Sequence, residues 1–359
     1  KVFIFSFLFI WVAEAYAEKD SSHGARGKES KSRKDSDGNR LRTMELYLPG
    51  MKTKKKVSIE VIDGIAHTQG DIILGPVNKL KKWYGKPRGM RSPNAFQDTS
   101  QKKPFKKLKA NARMAAVKDR DYLWAYGKIP YTFAPNLIKR CKKKKRKCVK
   151  IRRAIKMLNE STNLQVVPRS GEDHYVRFYH KKDGCRSWIG QTWMNEQDIV
   201  VGNGCPIGGI AHEILHAAGF DHTHNRPDRD EYIKVNWDNI KLLKRHNYIK
   251  SDWSTVAVGP YRTESIMHYG SLSKFAIDRK KPVMTLDDGT TFKARRPNPE
   301  KGGKMSKYDV AAINQVYPVD EPAKTSSVFT VCLKYKNGKL AIPGRNLKNI
   351  KARGTRCDK

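Results

Sequence analysis

Hydrophobic positions divide the chain into an apolar start, a polar leader and a middle with the texture of a folded domain, which begins at Tyr122. Short or alternating apolar runs predict strands, and apolar residues at i, i+3, i+4 and i+7 predict helices. The predicted strands are 129–133, 164–167, 175–179 and 198–201, and the predicted helices lie at about 151–158, 207–218 and 308–317. Strands in the first half and helices later favour an α+β fold with a cleft between two lobes.

A proline bears on where the first predicted strand, Ile129–Phe133, lies in its sheet. Pro130 has no N–H group to donate to a neighbouring strand. Since such residues are found mainly in edge strands, we expect this strand at the edge of its sheet.

The first seventeen residues predict a secretory signal peptide. Lys1 precedes an apolar run, Val2–Val12, and Ala15-Tyr16-Ala17 forms a small-x-small cleavage site. This run is short for a membrane span, and no later apolar stretch approaches the roughly 18 residues that a span needs. We therefore expect a secreted, extracellular protein with no membrane span.

The charge is strongly positive, with 73 Lys and Arg against 35 Asp and Glu, a net charge of +38. Such an excess predicts attraction to polyanions, and secretion argues against nucleic acid as the partner. Residues 18 to about 56 are polar and rich in Lys, Ser and Gly, so we expect them to be largely disordered. Six cysteines fit disulfides in an oxidising compartment.

Three histidines and a glutamate lie close together in the motif His212-Glu213-x-x-His216-x-x-Gly219-Phe220-x-His222. On a helix, His212 and His216 project from one face, and Gly219 allows the chain to turn and return His222 as a third ligand. Three protein ligands leave one zinc position open for water, which indicates a catalytic site. Glu213 is the expected general base beside that water.

These residues resemble the signature of the astacin family of secreted zinc metalloendopeptidases, and the resemblance covers about 115–318. It implies a metzincin fold with two lobes. The N-terminal lobe would hold a twisted, mostly parallel sheet and the zinc helix, and the C-terminal lobe would hold the Met-turn and the final helix. Ser265-Ile266-Met267-His268-Tyr269 resembles that Met-turn. The resemblance implies that Met267 forms the floor under the zinc and that Tyr269 is a fifth ligand, which swings away to stabilise the tetrahedral intermediate.

The resemblance also divides the chain into regions. Residues 115–117 followed by Leu123-Trp124 resemble the mature start of the family, so 18–114 would be a propeptide and 115–318 the protease domain. Arg113 offers a trypsin-like protease a place to cut. A short basic tail with two cysteines, 319–359, follows.

Within this leader, Gln69-Gly70-Asp71 resembles the inhibitory Phe-x-Gly-Asp motif of the family, with Thr68 in place of the Phe. The resemblance implies that Asp71 binds zinc in the zymogen. Gly-Asp is also a common turn pair, so an ordinary turn is the alternative.

The cysteines follow the family in part. The resemblance implies a Cys185–Cys205 disulfide, whereas the other family bridge is absent. Cys141, Cys148, Cys332 and Cys357 are additional. Of their three possible connectivities, local pairing as Cys141–Cys148 and Cys332–Cys357 is the simplest, and cross-pairing that ties the tail to the catalytic lobe is the alternative.

A second departure from the family follows the third histidine. The family has a Glu there, which is linked to the buried amino terminus of the mature enzyme. Thr223 offers a hydroxyl without charge, so we expect that link to be missing.

Between Cys141 and Cys148 stand six consecutive cations. A disulfide would hold them as one dense patch, either a solvated insertion or a docking site for sulfated glycans and other polyanions. The sequence thus predicts a zymogen that hydrolyses protein or peptide substrates. The competing hypothesis is a catalytically weak zincin that binds extracellular polyanions.

Overall fold

The structure is a computed structural model that describes residues 33–34, 40–48, 51, 53–85, 114–117, 122–143, 146–192, 194–251, 255–318, 335–336 and 339–340. The chain divides into a unit that ends at Pro318 and a second unit that begins at Val319. In the second unit, two short strands pair with each other. The predicted signal peptide and the bridge between Cys332 and Cys357 lie outside the described residues.

Strands and helices are numbered in chain order. The strands are β1 Arg33–Lys34, β2 Arg40–Leu46, β3 Lys55–Ile62, β4 Ile65–Thr68, β5 Ile72–Pro76, β6 Met114–Val117, β7 Lys128–Phe133, β8 Gln165–Pro168, β9 Tyr175–Tyr179, β10 Cys185–Ser187, β11 Glu196–Val201, β12 Phe220–Asp221, β13 Ile233–Val235, β14 Thr255–Val258, β15 Met284–Leu286, β16 Tyr335–Lys336 and β17 Lys339–Leu340. The helices are α1 Leu80–Tyr84, α2 Pro135–Lys143, α3 Arg146–Ser161, α4 Ile207–Ala217 and α5 Lys307–Val316. Within the described residues, no helix has both the length and the apolar character that a membrane crossing requires.

Ten strands form one mixed sheet in the order β1-β2-β3-β4-β5-β10-β11-β9-β7-β8. Strands β8, β7, β9 and β11 are parallel, and β10 runs antiparallel to β11. The leader strands β1 to β5 pair antiparallel with one another, and β5 joins β10 in parallel through Ser187 and Ile72. The predicted α+β class and the mostly parallel sheet of the N-terminal lobe are confirmed.

The edge position predicted for Pro130 is wrong, because β7 lies between β9 and β8. Its pairing with β9 begins only at Tyr131, whereas Pro130 itself stands opposite Val167 of β8. The proline therefore occupies a point where the strand has a neighbour on one side only, and a missing N–H group is tolerated there.

The leader is more ordered than its composition predicted. Strand β2 falls inside the stretch that we expected to be disordered, and it pairs with β3 over seven residues. The leader has an apolar core of its own, made of buried residues that include Leu46, Ile59, Leu74 and Leu80. Spaced apolar residues, which looked isolated in the sequence, meet across the hairpins.

A larger core joins α3 and α4 to the inner face of the sheet, and it includes Ile151, Leu158, Phe178 and Leu215. The predicted helix around 151–158 is confirmed as α3, and the predicted zinc helix as α4. Every residue of α4 is buried, so this helix runs through the interior.

Two disulfides are present among the described residues. Cys141–Cys148 joins the end of α2 to the start of α3, which confirms local pairing for these two cysteines. Cys185–Cys205 joins β10 to the segment before α4, as the family resemblance implied.

Candidate metal centre

Helix α4 and the turn after it bring three histidines together. His212 and His216 lie one turn apart, with 4.6 Å between their ring centroids. Gly219 adopts a φ of 91°, which a side chain would oppose, and so reverses the chain. His222 then returns to within 4.6 Å of the His216 ring. The sequence prediction of a helix, a glycine turn and a third histidine matches this geometry.

Each of the two helical imidazoles is oriented through its Nδ1 atom. His212 Nδ1 lies 2.8 Å from the carbonyl oxygen of Ile266, and His216 Nδ1 lies 2.7 Å from that of Phe220. A carbonyl oxygen only accepts, so both Nδ1 atoms carry the proton and both Nε2 lone pairs are left for a ligand.

Asp71 of the leader faces these Nε2 atoms. Its carboxylate oxygens lie 3.6 Å from His212 Nε2, 3.6 Å from His216 Nε2 and 3.1 Å from His222 Nε2. The Nε2 atoms of His216 and His222 are 3.3 Å apart. Four ligands placed about 2.0–2.1 Å from a tetrahedral zinc ion would be roughly 3.4 Å from one another. These side chains therefore fit one zinc ion.

Two buried polar atoms without hydrogen-bond partners also indicate a zinc site here. His212 Nε2 and Asp71 Oδ1 are buried and have no hydrogen-bond partner in the described part of the chain. Because buried polar atoms are rarely left unpaired, a missing ligand is the simplest reason for both. The four residues form a group that could hold a metal ion.

A left-handed turn carries Asp71 into the site. Gln69 and Gly70 have φ values of 51° and 92°, and a Cβ on Gly70 would meet the Tyr269 hydroxyl at 3.0 Å. Burial alone would raise the pKa of Asp71, but the neighbouring histidines, His222 foremost, outweigh it. The pKa is therefore held well below its usual range. Asp71 is thus poised as an anionic ligand.

Glu213 and Tyr269 line the same cavity, of about 330 Å³, as His212 and Asp71. Burial, with the charge of Asp71, raises the pKa of Glu213 well above its usual value. The Tyr269 hydroxyl has two acceptors within reach, the Gln69 carbonyl oxygen at 3.1 Å and Asp71 Oδ2 at 3.2 Å. The leader thus engages this hydroxyl directly.

The Met-turn lies under the histidines. Met267 and Ile266 are fully buried. Asp309 of α5 accepts a hydrogen bond from the Ile266 N–H (2.9 Å), while the Ile266 carbonyl accepts from Arg296 Nη1 (2.7 Å) as well as from His212. Burial raises the pKa of Asp309 to about 7, although its hydrogen bonds with Ile266 and Ser265 oppose the rise.

The sequence did not point to several residues of this centre. Gln69 accepts from His222 Nδ1 (3.1 Å), and Asp309 and Arg296 hold the Ile266 peptide. These residues are far in sequence from the groups they contact, and none belongs to a recognisable spacing. For Gln69, its place beside Asp71 in the Phe-x-Gly-Asp resemblance was the one available signal.

Thr223 is fully buried, and its Oγ1 has no hydrogen-bond partner among the residues that the structure describes. The strand β6, which contains the predicted mature start, pairs with β12 and β14. Strand β12 ends two residues before Thr223. Within the described ranges, the hydroxyl therefore makes no bond to the mature start, although the two segments are neighbours.

The comparisons agree with this centre. The model of the peptidase family Astacin matches residues 116–318. Blastula protease 10 of Paracentrotus lividus is 33% identical over 210 residues, which are 55% of this chain and 32% of that protein. The chain thus spans about a third of that relative's length.

Two other relatives are matched over more of their length. Astacin-like metalloprotease toxin 1 of Loxosceles intermedia is 33% identical over 207 residues, 56% of this chain and 74% of that protein. Low choriolytic enzyme of Oryzias latipes is 33% identical over 254 residues, 69% of this chain and 77% of that protein.

Among solved structures, high choriolytic enzyme 1 of Oryzias latipes, described as a hatching enzyme zinc-protease, is 28% identical. It aligns with a TM-score of 0.48 over 56% of this chain and 98% of that chain. The family match covers more than half of the present chain, and its span includes all three histidines and the Met-turn. The chain belongs to the astacin family of zinc metalloproteases.

Proposed function

We propose that the protein is a secreted zinc-dependent endopeptidase, made as a zymogen, that hydrolyses peptide bonds of extracellular proteins. The observation that carries the proposal is the cluster in which three Nε2 atoms converge beside Glu213 while a leader carboxylate occupies the fourth position. The signal-like start and the names of two relatives, a toxin and a choriolytic enzyme, support secretion.

His212, His216 and His222 would hold the zinc ion, which supplies an acidified water and a Lewis acid for the scissile carbonyl. Glu213 would accept a proton from the attacking water and later deliver it to the leaving amine. Tyr269, once parted from Gln69 and Asp71, would donate a hydrogen bond to the oxyanion.

The same proposal assigns the regions of the chain. Residues 1–17 would be the signal peptide, 18–114 the propeptide, 115–318 the protease domain and 319–359 a basic tail. Asp71 would be the fourth zinc ligand in the zymogen and would exclude substrate from that position. A trypsin-like protease would begin activation by cutting after Arg113.

The test is the Glu213→Gln variant of the proteolytically activated protein. We expect zinc to remain bound, and peptide-bond hydrolysis to fall by about 10²–10⁴-fold, because the amide cannot accept the proton. Zinc content by atomic absorption and cleavage of an unfolded protein substrate, with and without a chelator, would be measured together. Activity equal to that of the parent would exclude Glu213 as the base. Absence of chelator-sensitive cleavage in the parent, measured after the cut leader has been separated from it, would instead favour a weak zincin with a binding role.

A second function, docking to sulfated glycans, is supported by the surface of α2 and α3. Lys139, Lys142, Lys143 and Arg152 are exposed and make no ion pair with any described residue. The Cys141–Cys148 disulfide joins the two helices at this point. Like charges held together in this way raise the local potential and attract sulfated chains.

Heparin chromatography tests this second function. Lys139, Lys142 and Lys143 changed together to Ser should lower the salt concentration of elution. Three exposed cations elsewhere, Lys234, Lys280 and Lys307, changed to Ser provide a charge-matched control. Equal elution of the two triple variants would show that net charge alone, and not this surface, retains the protein.

A further inference from the structure

The leader contacts the protease domain at several places besides the Asp71 carboxylate. Glu60 of β3 forms an ion pair with Lys244, which lies in the short 3-10 helix Leu242–Tyr248. Lys244 Nζ is 2.6 Å from Glu60 Oε1, and the two side chains are only 9% and 8% exposed. The pair is thus almost fully withdrawn from water.

Gln69 forms a second contact, with three buried groups of the protease domain. Its Nε2 donates to Ser251 Oγ at 2.6 Å, and its Oε1 accepts from Asn225 Nδ2 at 2.9 Å and from His222 Nδ1. All three partners are 1% exposed or less. The carboxamide of Gln69 is therefore bonded at both ends by residues of the protease domain.

An apolar contact and a strand pairing complete the interface. Ile73 of the leader packs with Trp188 and Val200 of the protease domain. The Trp83 ring of the leader lies 6.5 Å from the Trp188 ring. The Ser187 N–H donates to the Asp71 carbonyl oxygen at 3.0 Å, which continues the sheet from β10 into the leader.

None of these contacts depends on the connection between Gly85 and Met114, the part of the chain in which activation is proposed. The leader also has its own core around Ile59 and Leu80. A cut between residues 86 and 113 would leave both the core and every contact above intact.

We propose that the cleaved leader stays bound to the protease domain as a folded, noncovalent inhibitor. We also propose that the Glu60–Lys244 ion pair, called the latch below, controls how fast the leader dissociates. This inference rests on the proposed zymogen, because the bound leader covers the metal centre. The latch acts on the dissociation rate, since loss of either partner breaks a buried ion pair that exists only in the bound state.

The experiment uses the full chain with Glu213→Gln, so that no self-digestion occurs, and with a site-specific protease recognition sequence placed between residues 86 and 113. After the cut, we expect the leader to coelute with the protease domain in gel filtration. Adding Glu60→Gln should increase the dissociation rate on the order of 100-fold. Asp63→Asn is the matched control, because Asp63 pairs with Lys181 across the same interface at 3.0 Å but is 71% exposed. This control should change the rate by less than about fivefold.

Two further variants keep the test decisive. Lys244→Met removes the other half of the latch and should raise the rate as Glu60→Gln does, whereas the two changes combined should raise it less than the sum of both effects. Immediate separation of the leader after the cut, or equal rates for Glu60→Gln and Asp63→Asn, would overturn the inference. Neither outcome would touch the proposed hydrolysis, because retention is measured with a variant that does not need to turn over.

Discussion

Two aspartates support the metal centre from different regions, one facing the histidines and one holding the Met-turn beneath them, and their pKa values shift in opposite directions. Asp71 comes from the leader and faces three imidazoles, which together keep its pKa well below the usual range. Asp309 comes from α5, below the Met-turn, where its pKa is raised to about 7. Its hydrogen-bond partners there are the Ile266 N–H and the Ser265 side chain, which oppose the effect of burial too weakly to keep it ionised.

The difference shows what each region provides. A carboxyl that faces the imidazole nitrogens of three histidines stays charged and can act as a ligand, so in the proposed zymogen the leader brings a removable anion. A buried carboxyl whose hydrogen-bond partners are uncharged keeps its proton up to about pH 7 and acts as a structural hydrogen-bond partner. The protease domain therefore keeps the second aspartate as permanent support for the turn beneath His212.

The largest expected effect is on the affinity for a zinc-binding probe, and it comes from changing Asp71. Asp71→Asn in the uncut, zinc-loaded chain should increase the affinity for a small hydroxamate by about 1,000-fold, because charge-assisted contacts with the site are lost. A small zinc-binding probe is chosen because the leader would still cover the cleft against a protein substrate. Titration calorimetry would measure the affinity, with Asp63→Asn as the control in the same leader. An unchanged affinity would show that Asp71 does not compete for the zinc position.

The second effect concerns Asp309 and the way its ionisation makes the free energy of unfolding depend on pH. The unfolded carboxyl releases its proton near the ordinary pKa of 3.8, whereas the folded one keeps it until about pH 7. The native state therefore loses stability as pH rises from 4 to 7, and the loss is constant above that. Relative to the parent, Asp309→Asn should gain roughly 4 kcal/mol in its free energy of unfolding between pH 3 and pH 7.5. Urea unfolding across this range is the measurement, and parallel curves for the two proteins would refute the raised pKa.

The smallest effect concerns the hydroxyl next to the third histidine. Thr223→Val should stabilise the uncut chain by about 1 kcal/mol, since its buried Oγ1 has no partner among the described residues. Thr162 is the control, because its hydroxyl donates to the Leu158 carbonyl oxygen at 2.8 Å and Thr162→Val should destabilise. If the gain for Thr223→Val reverses after activation, the new amino terminus uses this hydroxyl.

The protease domain, which contains the three histidines, was predictable from the sequence to a large extent. His212, Glu213 and His216 are fixed by the periodicity of one helix, and Gly219 marks the turn that returns His222. These are local relationships, so spacing alone specifies them. The same short-range patterns predicted strands β7, β8, β9 and β11 and helices α3, α4 and α5, whereas helix α2 and the short strands β10 and β12 to β15 were not predicted.

The leader was predictable from the sequence only in outline. Asp71 was found through a partial motif, but the order of the leader was underestimated because its core forms between hairpins. The Glu60–Lys244 pair and the contact of Gln69 with Ser251 join residues 184 and 182 positions apart. No periodicity encodes such contacts, since they depend on how two separately folded regions meet.

The pairing of β5 with β10 has a consequence for how readily the protein aggregates once the leader has left. When the leader departs, β10 changes from an interior strand to an edge strand, and the Ser187 N–H loses its acceptor. An open edge is a template for any extended chain, including a partly unfolded neighbour. If the chain is activated as proposed, the leader also protects this edge before activation. The uncut chain should then tolerate high concentration, whereas the activated form should aggregate sooner unless substrate occupies the edge.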